Sequence, residues 1–305
     1  MKKVLVTGAA GFLGVKIVQK LRLAGYDVVT TDKVPSVDYL GDLKDAIFLK
    51  SLPDVDVIVH SAAVQYVTSN KPLLDWKTWF YTNNVIATRN LIDRYKGQAV
   101  HFVHVGTSMQ YHQNNLESYK EGAEQKSQGV YSDTKLIAQM EVNKSGFHVT
   151  TVIPCIIGGV GRAGLFKSLV KTIRYFSIAI IPGSGLNPIS IVHVDDVAEL
   201  IKMIVKTGVS GVYNASAIDA LNIIDWVDII SNRLGKKKVR ILRIPLIPLA
   251  FISKITGYRI LAREQLVMLS MPHILDGKKM HNFLRTDIKS TATVINEITD
   301  GLVKD

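Results

Sequence analysis

A tyrosine and a lysine four residues apart, Tyr131 and Lys135, are the side chains of this sequence best suited to proton transfer. They lie at the start of a predicted helix over 130–143, where such a spacing puts two side chains on one face. A phenol with a pKa of about 10 is a poor base at neutral pH, but a neighbouring ammonium lowers that pKa. The pair can therefore exchange a proton with a hydroxyl or carbonyl, although by itself such a pair is in most chains part of an exposed helix face.

A second chemical feature is the glycine-rich turn Thr-Gly-Ala-Ala-Gly-Phe-Leu-Gly over residues 7–14, between a short apolar strand and a helix. Gly8 suits the tight turn, Gly11 lets the backbone approach a pyrophosphate, and Gly14 lets the helix pack on the strand. Asp32 ends the next predicted strand, as the dinucleotide-binding pattern requires. Its carboxylate would accept from ribose hydroxyls and repel a 2′-phosphate. The pattern therefore predicts NAD and makes NADP less favoured, although Lys33 follows directly.

These residues need a scaffold in which strands alternate with helices. Apolar strands are predicted around 4–6, 27–31, 55–60, 100–105 and 149–153, with helices at 12–21, 73–95 and 130–143 between them. This order favours an α/β fold, a Rossmann-type doubly wound parallel sheet with a smaller C-terminal substrate-binding region. We expect residues 1–157 to form the NAD-binding domain, with strands around 190–215 returning to it. Residues 158–305 are expected to bind mainly substrate.

Composition sets the broad class. The chain has 305 residues, of which 47% are hydrophobic and 21% charged, as in a globular protein. Its single cysteine, Cys155, excludes an intramolecular disulfide and any multi-cysteine metal site, and the histidines show no ligand spacing, so no metal is expected. No signal peptide is recognised, and the apolar run at 244–252 is too short to span a bilayer. We expect a cytoplasmic protein.

Several further motifs support a family assignment. Gly41-Asp42-Leu43, a His-Ser-Ala-Ala motif at 60–63, an Asn-Val-Ile-Ala-Thr-Arg-Asn motif at 84–90 and a His-Val-Asp-Asp-Val-Ala motif at 193–198 accompany the glycine turn. With them, residues 1 to about 215 resemble the extended short-chain dehydrogenase/reductase family, of the NAD-dependent epimerase/dehydratase type. The last ninety or so residues match only loosely.

The resemblance implies a cofactor site along most of the N-terminal part of the chain. Pro154 and Ile156 belong to it because they lie in a segment similar to one whose backbone contacts the nicotinamide, although Ile153 replaces the usual arginine. The implied cofactor-binding residues are Gly8, Ala10, Gly11, Phe12, Leu13, Asp32, Lys33, Asp42, Leu43, Ala62, Ala63, Val64, Asn84, Tyr131, Lys135, Pro154 and Ile156.

The resemblance also assigns catalytic roles. Tyr131 is the acid/base, Lys135 tunes its pKa and holds the nicotinamide ribose, and Thr107 polarises the reacting oxygen, with Ser108 as the adjacent contender. Thr107, Ser108 and Met109 are expected to contact substrate. Sugar 4,6-dehydratases carry an Asp-Glu pair directly after this threonine, where Ser108 and Met109 stand here, so dehydration is disfavoured.

The substrate stays open. An anionic nucleotide sugar is the first interpretation, but the stretch 183–190 lacks the arginine that binds the diphosphate in the family. Four basic residues before it could bind the diphosphate instead or form a solvated helix face: Arg162, Lys167, Lys171 and Arg174. The alternatives are a 3β-hydroxysteroid-type dehydrogenase, a dihydroflavonol-type reductase, or a non-catalytic NAD-sensing protein, which the presence of both Tyr131 and Lys135 argues against. We expect a homodimer, through the helices after the fourth strand and around Tyr131.

The net charge of +11 suggests an anionic partner. No nucleic-acid-binding motif is present, so none is expected. The apolar stretch 242–252 follows three lysines at 236–238, which is compatible with a membrane-surface patch. We favour instead a lid or core helix with a solvated basic approach.

Overall fold

The computed structural model describes residues 1–66, 71–72, 74–114, 117–162, 165–256 and 261–304. The chain divides into two compact units. The first consists of Met1–Gln110, Gln125–Pro154 and Val197–Tyr213, and the second of Tyr111–Glu124, Cys155–Asp196 and Asn214–Asp305. That the first unit binds cofactor and the second substrate stays a prediction.

The core of the first unit is a seven-stranded sheet with the order β10-β6-β5-β4-β1-β2-β3. Pairing is parallel from β3 through to β6. The strands are β1 Lys3–Thr7, β2 Asp27–Asp32, β3 Tyr39–Leu40, β4 Val57–His60, β5 His101–Val105, β6 His148–Pro154 and β10 Gly211–Ala215. The expected Rossmann-type fold is confirmed.

Helices connect these strands. They are α1 Phe12–Leu23, α2 Ala46–Ser51, α3 Trp76–Tyr81, α4 Ala87–Tyr95, α5 Val130–Lys144 and α7 Val194–Thr207. The single helix predicted over 73–95 is wrong in detail, because a π-helical turn at Thr82–Ile86 separates α3 from α4 and Leu73 lies outside the described residues. A short 3₁₀ turn, Ser108–Gln110, follows β5.

Strand order locates the ligand-binding edge. The chain builds β1, β2 and β3 in one direction and then crosses to β4, β5 and β6 on the other side of β1. Ligands of such sheets bind outside the carboxyl ends of the strands where the order reverses. Thr7 and His60 are partners at the carboxyl ends of β1 and β4, so residues that follow these strands occupy that crevice.

The second unit contains two small sheets, β11-β9-β7 and β12-β8. Its elements are β7 Ile156–Gly158, α6 Leu165–Phe176, β8 Ile178–Pro182, β9 Ile189–His193, β11 Ala220–Leu221, α8 Ile223–Arg233, β12 Arg240–Ile244, α9 Leu246–Ile255, α10 Arg263–Ser270, α11 Lys278–Leu284 and α12 Thr291–Lys304. Of the strands expected to return to the main sheet around 190–215, β10 does so. The other, β9, pairs instead with β7 and β11, which corrects that expectation.

The apolar stretch near the C-terminus runs from the end of β12 into α9. We favoured a lid or core helix there; a core helix is wrong, and a lid stays a prediction. Leu249 and Ser253 face inward, one helical turn apart, whereas Ile247, Phe251 and Ile255 are exposed. Among the described residues, no helix is long and apolar enough to cross a membrane.

Candidate active site

The turn between β1 and α1 is shaped by three glycines. Gly8 has φ +69°, and a Cβ there would lie 2.7 Å from the backbone of Ala62. A Cβ on Gly14 would lie 2.0 Å from the carbonyl oxygen of Gly8, so α1 packs directly on the turn. Gly11 precedes α1, and no side chain caps that helix end within the described part of the chain. The turn therefore presents the positive end of α1 to an anion, which fits a dinucleotide pyrophosphate.

Asp32 lies beside this turn. Its carboxylate accepts hydrogen bonds from the backbone N–H of Ala10 at 3.0 Å and of Lys33 at 2.6 Å. Lys33 in turn donates to Asn83 and forms an ion pair of 2.9 Å with Asp42. Although burial raises the pKa of Asp42, hydrogen bonds from Lys44 and Lys33 outweigh it and lower that pKa. Lys33 therefore forms its ion pair with Asp42, and a role of Asp32 in binding ribose hydroxyls stays a prediction.

Buried hydrogen bonds from His60 and Asn84 fix the segment after β4. Nδ1 and Nε2 of His60 hydrogen-bond to the hydroxyls of Thr7 at 2.8 Å and Thr88 at 2.9 Å. The Asn84 amide accepts from the Val64 N–H at 2.9 Å and donates to the Thr134 hydroxyl of α5 at 3.0 Å. Asn84 therefore ties the backbone after Ala62 and Ala63 to the helix that carries Tyr131. Sequence reasoning listed Asn84 as a cofactor residue and missed this link.

Tyr131 and Lys135 lie in the first two turns of α5, and both are buried. The Ser132 hydroxyl accepts from the Gly129 N–H at 3.1 Å and so fixes the helix start next to Tyr131. Burial lowers the pKa of Lys135 to about 8. At neutral pH the ammonium form still predominates, close to the phenol on the same helix face.

Two histidines, His60 and His104, lie near Lys135. They are partners across β4 and β5, and their ring centroids are 5.9 Å apart. Burial, and then the charge of Lys135, lower the pKa of His60 to about 3. Burial likewise places the pKa of His104 well below its usual value, and neither of its ring nitrogens has a hydrogen-bond partner among the described residues. Both rings are neutral, so Lys135 carries the charge of this cluster.

Thr107 follows β5 directly and is buried. Its hydroxyl accepts weakly from the Met109 N–H at 3.4 Å, and its own N–H donates to the Gln110 side chain at 3.3 Å. Gln110 also donates to Gln139 of α5, so the Thr107 turn is attached to the helix of Tyr131. The neighbouring Ser108 is buried as well.

Aromatic side chains surround Tyr131 on one side. Its ring centroid lies 6.3 Å from Tyr66 and 6.1 Å from Phe80, and Tyr66 is 4.9 Å from Phe80. Trp76 is 6.5 Å from Tyr66, and the Lys71 ammonium lies 5.2 Å above the Tyr66 ring. Sequence reasoning missed Tyr66, because nothing in a single aromatic residue after β4 points to it. The helix after the fourth strand, which carries Trp76 and Phe80, was expected only to form a dimer.

The remaining predicted residues lie at several places. Phe12 and Leu13 begin α1, and Leu43 packs in the core of the first unit. Pro154 ends β6, whereas Ile156 begins β7 of the second unit. Burial raises the pKa of the Cys155 thiol, as expected for an inert filler. The described residues contain no cluster of metal-ligating side chains.

A glycine-rich turn at the switch point of a Rossmann-type sheet, with a Tyr-x-x-x-Lys helix beside it, defines a dinucleotide-binding protein of the short-chain dehydrogenase/reductase class. The comparison with family models agrees. Residues 4–216 match the NAD dependent epimerase/dehydratase family, and the chain belongs to that family.

Individual relatives are distant. The chain is 27% identical over 273 residues to the trifunctional UDP-glucose 4,6-dehydratase/UDP-4-keto-6-deoxy-D-glucose 3,5-epimerase/UDP-4-keto-L-rhamnose-reductase of Arabidopsis thaliana, covering 77% of this chain and 40% of that protein. It is 27% identical over 213 residues to human sterol-4-alpha-carboxylate 3-dehydrogenase, decarboxylating, covering 64% and 55%. The chain thus spans about two fifths and about half of these relatives' lengths.

A solved structure shares the fold. The dTDP-glucose 4,6-dehydratase of Streptomyces venezuelae, solved with NAD bound, superposes with a TM-score of 0.79 at 20% identity. The match covers 99% of this chain and 97% of that one.

Proposed function

We propose that this protein is an NAD-dependent epimerase or oxidoreductase that acts at a secondary alcohol of a nucleotide sugar. The observation that carries the proposal is the buried pair on α5, Tyr131 with Lys135, in a sheet whose glycine turn fits a pyrophosphate. Membership of the family supports the same chemistry.

The residues of the first unit fit NAD. The glycine turn and the uncapped start of α1 would hold the pyrophosphate, and Asp32 the adenosine ribose. NAD is favoured over NADP because a 2′-phosphate would meet the Asp32 carboxylate while Lys33 is paired with Asp42. When bound, the nicotinamide supplies hydride exchange.

The chain's own residues supply the proton chemistry. Tyr131 as phenolate would take the proton from the substrate hydroxyl, and as phenol would return it to a carbonyl. Lys135 favours the phenolate through its charge. Thr107 would donate a hydrogen bond to the same oxygen. Dehydration is disfavoured because Ser108 and Met109 carry no acid for removing a second proton.

A second candidate is oxidation of an apolar alcohol such as a 3β-hydroxysteroid. The aromatic cluster of Tyr66, Trp76 and Phe80 against Tyr131 favours it, since apolar rings suit an apolar substrate. The named activity of the human relative gives further support. A cytoplasmic setting and a homodimer stay part of the proposal.

The test is a substrate panel. Purified protein is incubated with NAD and with UDP-, GDP- and TDP-sugars, then with 3β-hydroxysteroids, while absorbance of reduced cofactor and product isomers are recorded. An isomerised sugar without net reduced cofactor supports an epimerase, whereas accumulating reduced cofactor supports a dehydrogenase. If NAD binds and no substrate of either class reacts, the non-catalytic alternative replaces this proposal.

A further inference from the structure

The outward face of α9 is a continuous apolar ridge. Ile247, Phe251 and Ile255 follow one another at i, i+4 and i+8, and their side chains are 85%, 66% and 69% exposed. Ile252 beside them is also exposed. Isolated exposed apolar residues are ordinary, but a row of them along one helix face marks an interaction surface.

Further exposed apolar side chains lie on the two-stranded sheet of the same unit. Ile180 of β8 and Leu242 of β12 are paired in parallel register, and both are exposed. Ile244 ends β12, and α9 begins at Leu246 after a single residue, Pro245. We call the exposed residues Ile180, Leu242, Ile244, Ile247, Phe251, Ile252 and Ile255 the α9 surface.

The two chain segments that include the residues of this surface carry basic residues and no acidic ones. Residues 165–182 and 236–256 contain no Asp or Glu. Their basic residues are Lys167, Lys171, Arg174, Lys236, Lys237, Lys238, Arg240, Arg243 and Lys254. None of these nine forms an ion pair within the described part of the chain. Together they account for most of the net charge of +11.

We propose that the α9 surface docks on an anionic lipid bilayer, with the apolar ridge in the headgroup region and the surrounding Lys and Arg on lipid phosphates. α9 is apolar along almost its whole length and has one charged residue, Lys254, so the cations for lipid phosphates come from the flanking segment, above all Lys236, Lys237, Lys238, Arg240 and Arg243. At 10 residues α9 is about 15 Å long, about half the hydrocarbon thickness, so it lies in the interface. A second copy is disfavoured as occupant because two such surfaces would bring like charges together.

Vesicle flotation tests the proposal with the full chain. Vesicles of phosphatidylcholine alone are compared with vesicles containing phosphatidylserine, and we expect binding to rise at least about tenfold with the anionic lipid. The triple variant Ile247→Ser, Phe251→Ser, Ile255→Ser is expected to lose at least about tenfold of this binding. The control, Leu23→Ser with Ile47→Ser, removes two similarly exposed apolar side chains of the first unit and is expected to bind as the parent does.

Charge is tested separately. The variant Lys236→Gln, Lys237→Gln, Lys238→Gln is expected to weaken binding to anionic vesicles at least about tenfold. Its control, Lys50→Gln, Lys77→Gln, Lys96→Gln, removes the same charge from exposed sites of the first unit. Salt is expected to weaken parent binding, since the screening length falls to about 10 Å at about 0.1 M.

An insertion probe shows whether the ridge enters the lipid. The lone cysteine, Cys155, is buried, so Ile247→Cys offers the accessible thiol for an environment-sensitive dye, and Ile47→Cys is the control. A blue shift of the dye emission with anionic vesicles is expected at position 247 alone.

Three results would overturn the proposal. They are no binding to anionic vesicles, equal binding of the serine variant and the parent, or coverage of the α9 surface by a second copy or an acidic protein with no binding to vesicles. Retained thermal unfolding and NAD binding show that each variant folds.

Discussion

The carboxyl edge of the main sheet and the α9 surface differ in whether their charged groups are paired and buried. In the first unit Lys33 is paired with Asp42, Asn84 has partners for its whole amide, and Tyr131 and Lys135 are buried. In the second unit the basic residues of 165–182 and 236–256 have no acidic partner among the described residues, and large apolar side chains of α9 face outward. Groups held by several partners suit chemistry, which needs fixed positions. Exposed apolar side chains and cations without an acidic partner suit docking.

The claim that the carboxyl edge of the main sheet holds groups in fixed positions for chemistry is tested most strongly at Thr107. Thr107→Val removes the hydroxyl that would polarise the substrate oxygen, and we expect kcat to fall about 10²- to 10³-fold with NAD affinity unchanged. Thr107→Ser is expected to restore most of the rate. Thr256→Val at the end of α9 is the matched control and should keep the parent rate. A large loss in Ser108→Ala with none in Thr107→Val would move the role to Ser108.

Burial of Lys135 gives a prediction for stability. Because its pKa is about 8 when folded and 10.5 when exposed, the unfolded chain binds more protons between these values. The free energy of unfolding is therefore expected to rise from pH 8 to pH 10.5, by at most about 3 kcal/mol from this group. Denaturant unfolding across this range measures it.

The variant Lys135→Met is expected to lose this part of the pH dependence. Lys254→Met, an exposed lysine of α9, is expected to retain it. Equal pH profiles for the parent and Lys135→Met would contradict the buried position of this lysine.

The smallest expected effect concerns cofactor choice. Asp32→Asn removes the charge that would repel a 2′-phosphate, so we expect the preference for NAD over NADP to fall about tenfold. Titration with both cofactors measures the ratio. Asp228→Asn, an exposed acid of α8, should leave the ratio unchanged. An unchanged ratio in Asp32→Asn would instead assign the discrimination to other residues.

The sequence predicted the edge of the main sheet better than the rest. The glycine turn, Asp32 and the Tyr131 helix have signals that depend on local spacing, and the structure places each on the expected element. Whether a strand such as β9 joins one sheet or another depends on pairing across the chain, which spacing does not encode. The part that Asn84 plays between Val64 and Thr134 is likewise a tertiary contact.

The α9 segment shows a different limit. A run rich in Leu, Ile and Pro predicts burial in most proteins, because apolar residues are usually inside. Only the structure separates the inward pair Leu249 and Ser253 from the outward ridge at Ile247, Phe251 and Ile255. The net charge of +11, ambiguous by itself, is carried largely by the two segments that include this ridge.

The central claim is that Tyr131 exchanges the proton of the reacting alcohol. The most direct measurement is single-turnover reaction of Tyr131→Phe with NAD and the substrate found in the panel, beside Tyr26→Phe as control. We predict that Tyr131→Phe binds NAD with parent affinity but reacts about 10²- to 10⁴-fold more slowly, whereas the control keeps the parent rate. A parent rate in Tyr131→Phe would contradict the account.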